Sequence, residues 1–185
     1  MDLGFRMHAE RTPNPNSIKW VLSSTVIADG NGAHFSEPPL AEQSPLAAAL
    51  FGVPGVAGVF LGSNFLTVTK TDGAEWTDLA PPIVEGIKTW AGSEEPALGE
   101  SYQAPESGDD DAIVTRIKQI LEDDIRPFVA QDGGDITFAG FQDGVVEVYL
   151  QGACAGCPSS TITLKMGIES RLKEEIPEVR EVVSL

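Results

Sequence analysis

DGGDITFAGFQDGVVEVYLQGACAGCPSS, residues 132–160, decides the fold of the second half of the chain. Ile136–Phe141 and Val145–Leu150 read as strands, and Gln142-Asp143-Gly144 between them carries hairpin chemistry. Asp132-Gly133-Gly134-Asp135 ends a preceding helix and turns the chain. Cys154 and Cys157 fall between the end of the second strand and the start of a new helix. Pro158 suits a first helical position, which makes Cys157 the N-cap.

Working outward, Ile113, Ile117, Ile120, Leu121, Ile125 and Phe128 follow helical spacing, and Asp109–Asp111 place acidic residues at the start of that helix. The helix opened by Pro158 runs to about Glu175, with Pro177 just past its end. Val179, Val182 and Val183 suggest a final strand. The order is α-β-β-α-β. Upstream, Gly92–Asp110 reads GSEEPALGESYQAPESGDD, with no sustained apolar period. Such a composition predicts a flexible acidic linker.

Before it, Phe5–Glu10 and Ile18–Leu22 are strand-like and flank the turn-rich Thr12–Ser17. Ser44 and Pro45 start a short helix to about Phe51. Val56–Gly62 and Phe65–Lys70 read as two strands around Ser63-Asn64, and Trp76–Trp90 as a helix. The expected organisation is α+β with two small domains: β-β-α-β-β-α over residues 1–91, a linker over 92–110, and α-β-β-α-β over 111–185.

Composition narrows the function. The chain has 185 residues, 28 acidic against 12 basic, for a formal charge of -16. That balance repels phosphate backbones and anionic membrane surfaces, so neither nucleic acid nor membrane is an expected partner. No apolar run approaches the roughly 20 residues that span a bilayer. Met1–Glu10 lacks a charged start followed by an apolar core, and two cysteines three positions apart are not a secretory disulfide framework. The expected compartment is the reducing cytoplasm, or the mitochondrial matrix if the sequence is a processed form.

At a helix start, the Cys157 sulfur would face the free N–H groups of Ser159 and Ser160, which favour a thiolate and lower its pKa. Gly152 and Gly156 remove side chains, so backbone can approach a bulky ligand. Three chemistries use such a pair. Structural zinc wants four ligands; besides the cysteines the chain offers His8 and His34, both in the first half and both read as surface side chains. Zinc bridging two chains stays open. A thiol–disulfide oxidoreductase also opens a helix with C-x-x-C. The thioredoxin fold, however, continues past that helix with further strands, a helix and a cis-proline, and only 28 residues follow Cys157. The third is an iron–sulfur cluster, which takes four thiolates. A two-fold axis supplies them from two identical pairs.

At these residues the chain resembles a known family. Asp132–Asp135, Gly152–Ser160 and Thr163–Glu169 are similar to the NifU C-terminal-like domain, while Arg11–Lys19 and the Gly52–Thr69 segment are similar to the N-terminal domain of Nfu-type scaffold proteins. The resemblance implies an iron–sulfur cluster carrier or scaffold, not an enzyme. It implies Cys154 and Cys157 as the cluster and metal ligands, with no catalytic residues. It implies a [4Fe-4S] cluster in preference to [2Fe-2S], shared across a homodimer that forms on cluster binding. Apo iron–sulfur clients and upstream cluster-assembly proteins are the implied partners.

Other marked residues read more plainly. Asp132 and Asp135 suit a glycine turn with capping aspartates better than paired acid–base carboxylates. Trp20, Trp76, Trp90, Phe138 and Phe141 suit packing. Thr12–Ser17 reads equally as a structural turn and as a rigid surface for client proteins.

Overall fold

The structure, a computed structural model, describes residues 4–28, 32–103 and 111–185. The first unit contains β1 (Met7–Arg11), β2 (Ser17–Leu22), β3 (Ala33–Phe35), α1 (Pro45–Phe51), β4 (Val56–Leu61), β5 (Phe65–Lys70) and α2 (Trp76–Ala91). The strands form one sheet in the order β1-β2-β5-β4-β3, with every neighbouring pair antiparallel. β3 is an addition to the expected order; three residues are too few to show an alternating pattern. α1 begins as expected: the Ala47 N–H donates to the Ser44 side chain and Pro45 occupies the first turn.

Strand alternation assigns the sheet two faces. Trp20 and Leu22 of β2, Val59 and Leu61 of β4, and Leu66 and Val68 of β5 are buried with Leu46, Leu50, Leu79, Ile83 and Ile87 of the two helices. On the opposite face Lys19, Phe60, Phe65 and Thr67 are also buried. A sheet covered on both faces needs a second partner. That partner is the other half of the chain.

This second unit contains α3 (Ala112–Ile120), a π-helical turn (Leu121–Ile125), α4 (Arg126–Gln131), β6 (Gly134–Gln142), β7 (Val145–Gly152), α5 (Pro158–Glu175) and β8 (Glu181–Ser184). The sheet order is β6-β7-β8, with β6 antiparallel and β8 parallel to β7. The Asp111 side chain caps α3 by accepting from the Val114 N–H. Asp109 lies outside the described residues. The π turn corrects one expectation. A wider turn advances the register of everything after it. Phe128, expected on the apolar stripe, is 62% exposed, and Val129 takes the core position instead.

The linker expectation also needs correction over its first part. Ala97 is buried in the first unit's core, its carbonyl accepts from the Ser44 hydroxyl at 2.6 Å, and Tyr102 packs on Phe35. Residues 92–103 therefore extend the first unit; residues 104–110 of the expected linker lie outside the described residues. Among the described residues no helix is long and apolar enough to cross a membrane.

Candidate functional site

Both cysteines sit where the sequence places them. β7 ends at Gly152, and Cys157 is the extended N-cap of α5, at φ -83° and ψ 109°. The loop between them folds back on the start of β6: the Ala153 N–H donates to the Gly133 carbonyl at 3.1 Å. The double glycine makes this approach possible. A Cβ on Gly134 would lie 2.2 Å from Cys154 Sγ, so a side chain there would displace the sulfur. Gly133 has φ +76°, a conformation suited to glycine.

Asp135 is not a helix cap. It is buried in β6, where its Oδ1 accepts from Arg126 Nε at 2.9 Å and from the Ile136 N–H at 2.8 Å. Burial raises its carboxyl above the ordinary value, while the Arg126 guanidinium pulls it down. Burial is also the main influence on Cys154, whose thiol is pushed up to about 12, with Asp132, Cys157 and Asp135 adding to the rise. Cys157 Sγ donates to the Pro13 carbonyl at 3.8 Å.

Pro13 belongs to the first unit, and it does not act alone. One row of cross-strand partners crosses the sheet: Glu10, Lys19, Thr67, Phe60 and His34. From Lys19 onward the row meets the second unit. Lys19 Nζ donates to the carbonyls of Ala130 (2.7 Å) and Gln131 (3.3 Å), at the end of α4 where a cation is favoured. The Thr67 hydroxyl donates to the Gly133 carbonyl at 2.6 Å. A Cβ on Gly152 would meet Phe60 Cγ at 3.2 Å, and the Gly152 N–H donates to His34 Nδ1 at 3.3 Å. Beyond the row, Asn14 Nδ2 donates to the carbonyls of Ala153 (3.2 Å) and Ala155 (3.5 Å). Every one of these hydrogen bonds ends on backbone of the second unit. The cysteines lie under this cover, at 5% and 1% exposure.

Beside Cys154 an open groove of about 610 Å³ runs between α4 and α5. Pro13, Ile125, Phe128, Leu164 and Arg171 are among its walls. Phe128, Ile162 and Met166 remain more than 60% exposed on those elements.

Two family models match the chain: one described as NifU-like domain over residues 117–183, the other as scaffold protein Nfu/NifU N terminal over residues 7–94. Over 179 residues the chain is 42% identical to the human mitochondrial NFU1 iron-sulfur cluster scaffold homolog, covering 95% of this chain and 70% of that protein. The chain belongs to the Nfu family of scaffold proteins. The mitochondrial NFU1 iron-sulfur cluster scaffold homolog of Drosophila sechellia is 41% identical over 179 residues. The alignment takes in 95% of this chain and 63% of the fly protein, so the Nfu chain spans less than two thirds of that relative. The solution structure of a NifU-like protein from Saccharomyces cerevisiae matches 55% of this chain and 92% of its own length, at 22% identity and a TM-score of 0.46. A scaffold family is not a family of enzymes, which agrees with the sequence reading.

The Nfu chain places several residues differently from their sequence reading. His8 is exposed and pairs with Glu10, as expected of a surface side chain. His34 is not one: it contacts the cysteine loop, and burial lowers its pKa. Thr12–Ser17 is a rigid turn, braced by Thr12 Oγ1 donating to the Asn14 and Ser17 carbonyls and by Trp76 Nε1 donating to the Pro15 carbonyl. It presents its surface to the cysteine loop of its own chain. Arg126, Lys19 and Thr67 escaped the sequence reading. The available signal was in β5, where Thr67 stands among Phe65, Leu66 and Val68; a strand this apolar on both sides has no solvent face.

Proposed function

We propose that this Nfu chain carries an iron–sulfur cluster as cargo, held between two copies by Cys154 and Cys157 of each, and delivers it to apo iron–sulfur proteins. One observation carries the reading. The chain's only two cysteines share one loop at a helix start, and among the described residues no group of three or more His, Cys, Asp and Glu gathers to hold a metal. Two thiolates are half of what a cluster takes, and a second copy supplies the other half. A cluster shared by two chains is held by few ligands from either, which suits release to a client by ligand exchange.

The resemblance favours [4Fe-4S] over [2Fe-2S], and upstream assembly proteins would supply the cluster. Reduced cysteines require a reducing compartment. The cytoplasm satisfies that, and so does the mitochondrial matrix, which the relatives' names favour.

Anaerobic reconstitution with iron and sulfide tests the reading. The expected product is a coloured dimer with one cluster per two chains, and Cys157→Ala should yield colourless monomer. A Cys157→Ala protein that retains full iron and sulfide would refute it. Zinc at half an equivalent per chain in a colourless dimer would favour a zinc bridge. Efficient disulfide reduction by metal-free monomer would favour an oxidoreductase.

A further inference from the structure

We infer that the first unit is a cap for the cysteine loop of its own chain, and that this cap must leave before a second copy can share a cluster. The inference rests on the reading of Cys154 and Cys157 as cluster ligands. A shared cluster requires four sulfurs to converge on one inorganic core. In the structure the Pro13 carbonyl occupies the approach to Cys157 Sγ, and Pro13 also walls the groove beside Cys154. Asn14 holds the loop between the two cysteines by its carbonyls. While these contacts stand, Cys157 is closed to a second chain.

The cap is a built surface. Lys19, Thr67, Phe60 and Asn14 are all buried at the contact, and Lys19 Nζ, Thr67 Oγ1 and Asn14 Nδ2 each donate to the other unit. Buried polar groups of this kind are costly to leave unpaired, so the contact is specific for the one backbone that satisfies them. That backbone is the turn at Gly133 and the loop from Gly152 to Ala155. The two units join through a single crossing of the chain, so separating them leaves each core whole. Closure and cluster sharing use the same loop and exclude each other. By linkage, whatever weakens closure strengthens loading by the same factor for each of the two copies that must open. The closed form keeps an empty site away from oxidants and stray metals; incoming cargo with a second copy opens it.

Alkylation of the full, metal-free chain by iodoacetamide, followed by mass spectrometry, tests this. Thr67→Arg forces charge and bulk into the contact while leaving the helix-covered face of the sheet alone. Both cysteines should then react at least about tenfold faster, the scale of losing one or two buried hydrogen bonds from the closed state. Circular dichroism should be unchanged. Asn14→Ala, outside the strands, carries the same test if Thr67→Arg does not fold. Equal rates in wild type and a folded variant would overturn the cap. The outcome does not depend on cluster chemistry: faster alkylation with no iron uptake on reconstitution would uphold the cap and refute the cluster reading.

Discussion

The two faces of the five-stranded sheet are made from alternate residues of the same strands, yet they do different work. On one face Trp20, Leu61 and Leu66 pack with Leu46, Leu50, Ile83 and Ile87 into a dry core. On the other, Lys19, Thr67, Phe60 and His34 grip the second unit almost entirely through its backbone. Apolar packing is worth more per side chain and is hard to undo. Hydrogen bonds to backbone contribute less net stability but demand one particular partner. A sheet built this way keeps its own fold whether or not the second face is engaged.

The contrast breaks most sharply at neighbouring residues. Leu66→Ala leaves a cavity in the dry face and should cost about 2–5 kcal/mol of global stability. Urea unfolding followed by tryptophan fluorescence reads it. A loss under about 1 kcal/mol would mean the core re-forms around the gap. Lys19→Met keeps the stem of the side chain and deletes the charge over the Ala130 and Gln131 carbonyls. It should weaken closure by about 1.5–3 kcal/mol, the scale of a charged hydrogen bond, with little effect on unfolding of the first unit. Small-angle scattering of metal-free protein should show a larger radius of gyration than wild type. An unchanged radius together with a large fall in stability would assign Lys19 to the core and erase the distinction between faces.

The smallest effect is a pH dependence. Burial lowers the His34 pKa from 6.5, and its Nδ1 accepts from the Gly152 N–H, which a doubly protonated ring cannot do. The closed form therefore binds fewer protons at His34 than the open form. Closure is fully supported above pH 6.5 and weakens as the pH falls below it. Glu37 lines the same hollow, and Asp135 Oδ2 lies near Gly32, so both carboxylates also face this region. Comparison with His34→Phe over pH 7.5 to 5.5 isolates the histidine: wild type should open on acidification, while the variant should lack that component. Identical responses would remove His34 from the joint.

Much of the site and fold can be read directly. Ser44 and Pro45 start a helix, Asp143-Gly144 turns a hairpin, and Cys157 caps α5, because each follows from the chemistry of a few adjacent residues. The family match at Arg11–Lys19 marked the right segment without showing what it touches. Phe128 shows how a local error spreads: one π turn, without a clear sequence signature, moves the stripe to Val129. Ala97 and Tyr102 show another limit, since a few contacts with the first unit's core fasten a polar stretch that composition alone reads as loose.

By itself, the amino-acid order determined two α+β units, their helix starts and turns, and a paired-thiol loop at a helix N-terminus, because periodicity and capping act over a few residues. Only the tertiary structure decided that His34, Lys19, Thr67 and Asn14 close over that loop. Their partners are main-chain carbonyls and amides more than sixty residues away, and main-chain atoms are the same in every residue type, so no side-chain pattern announces them.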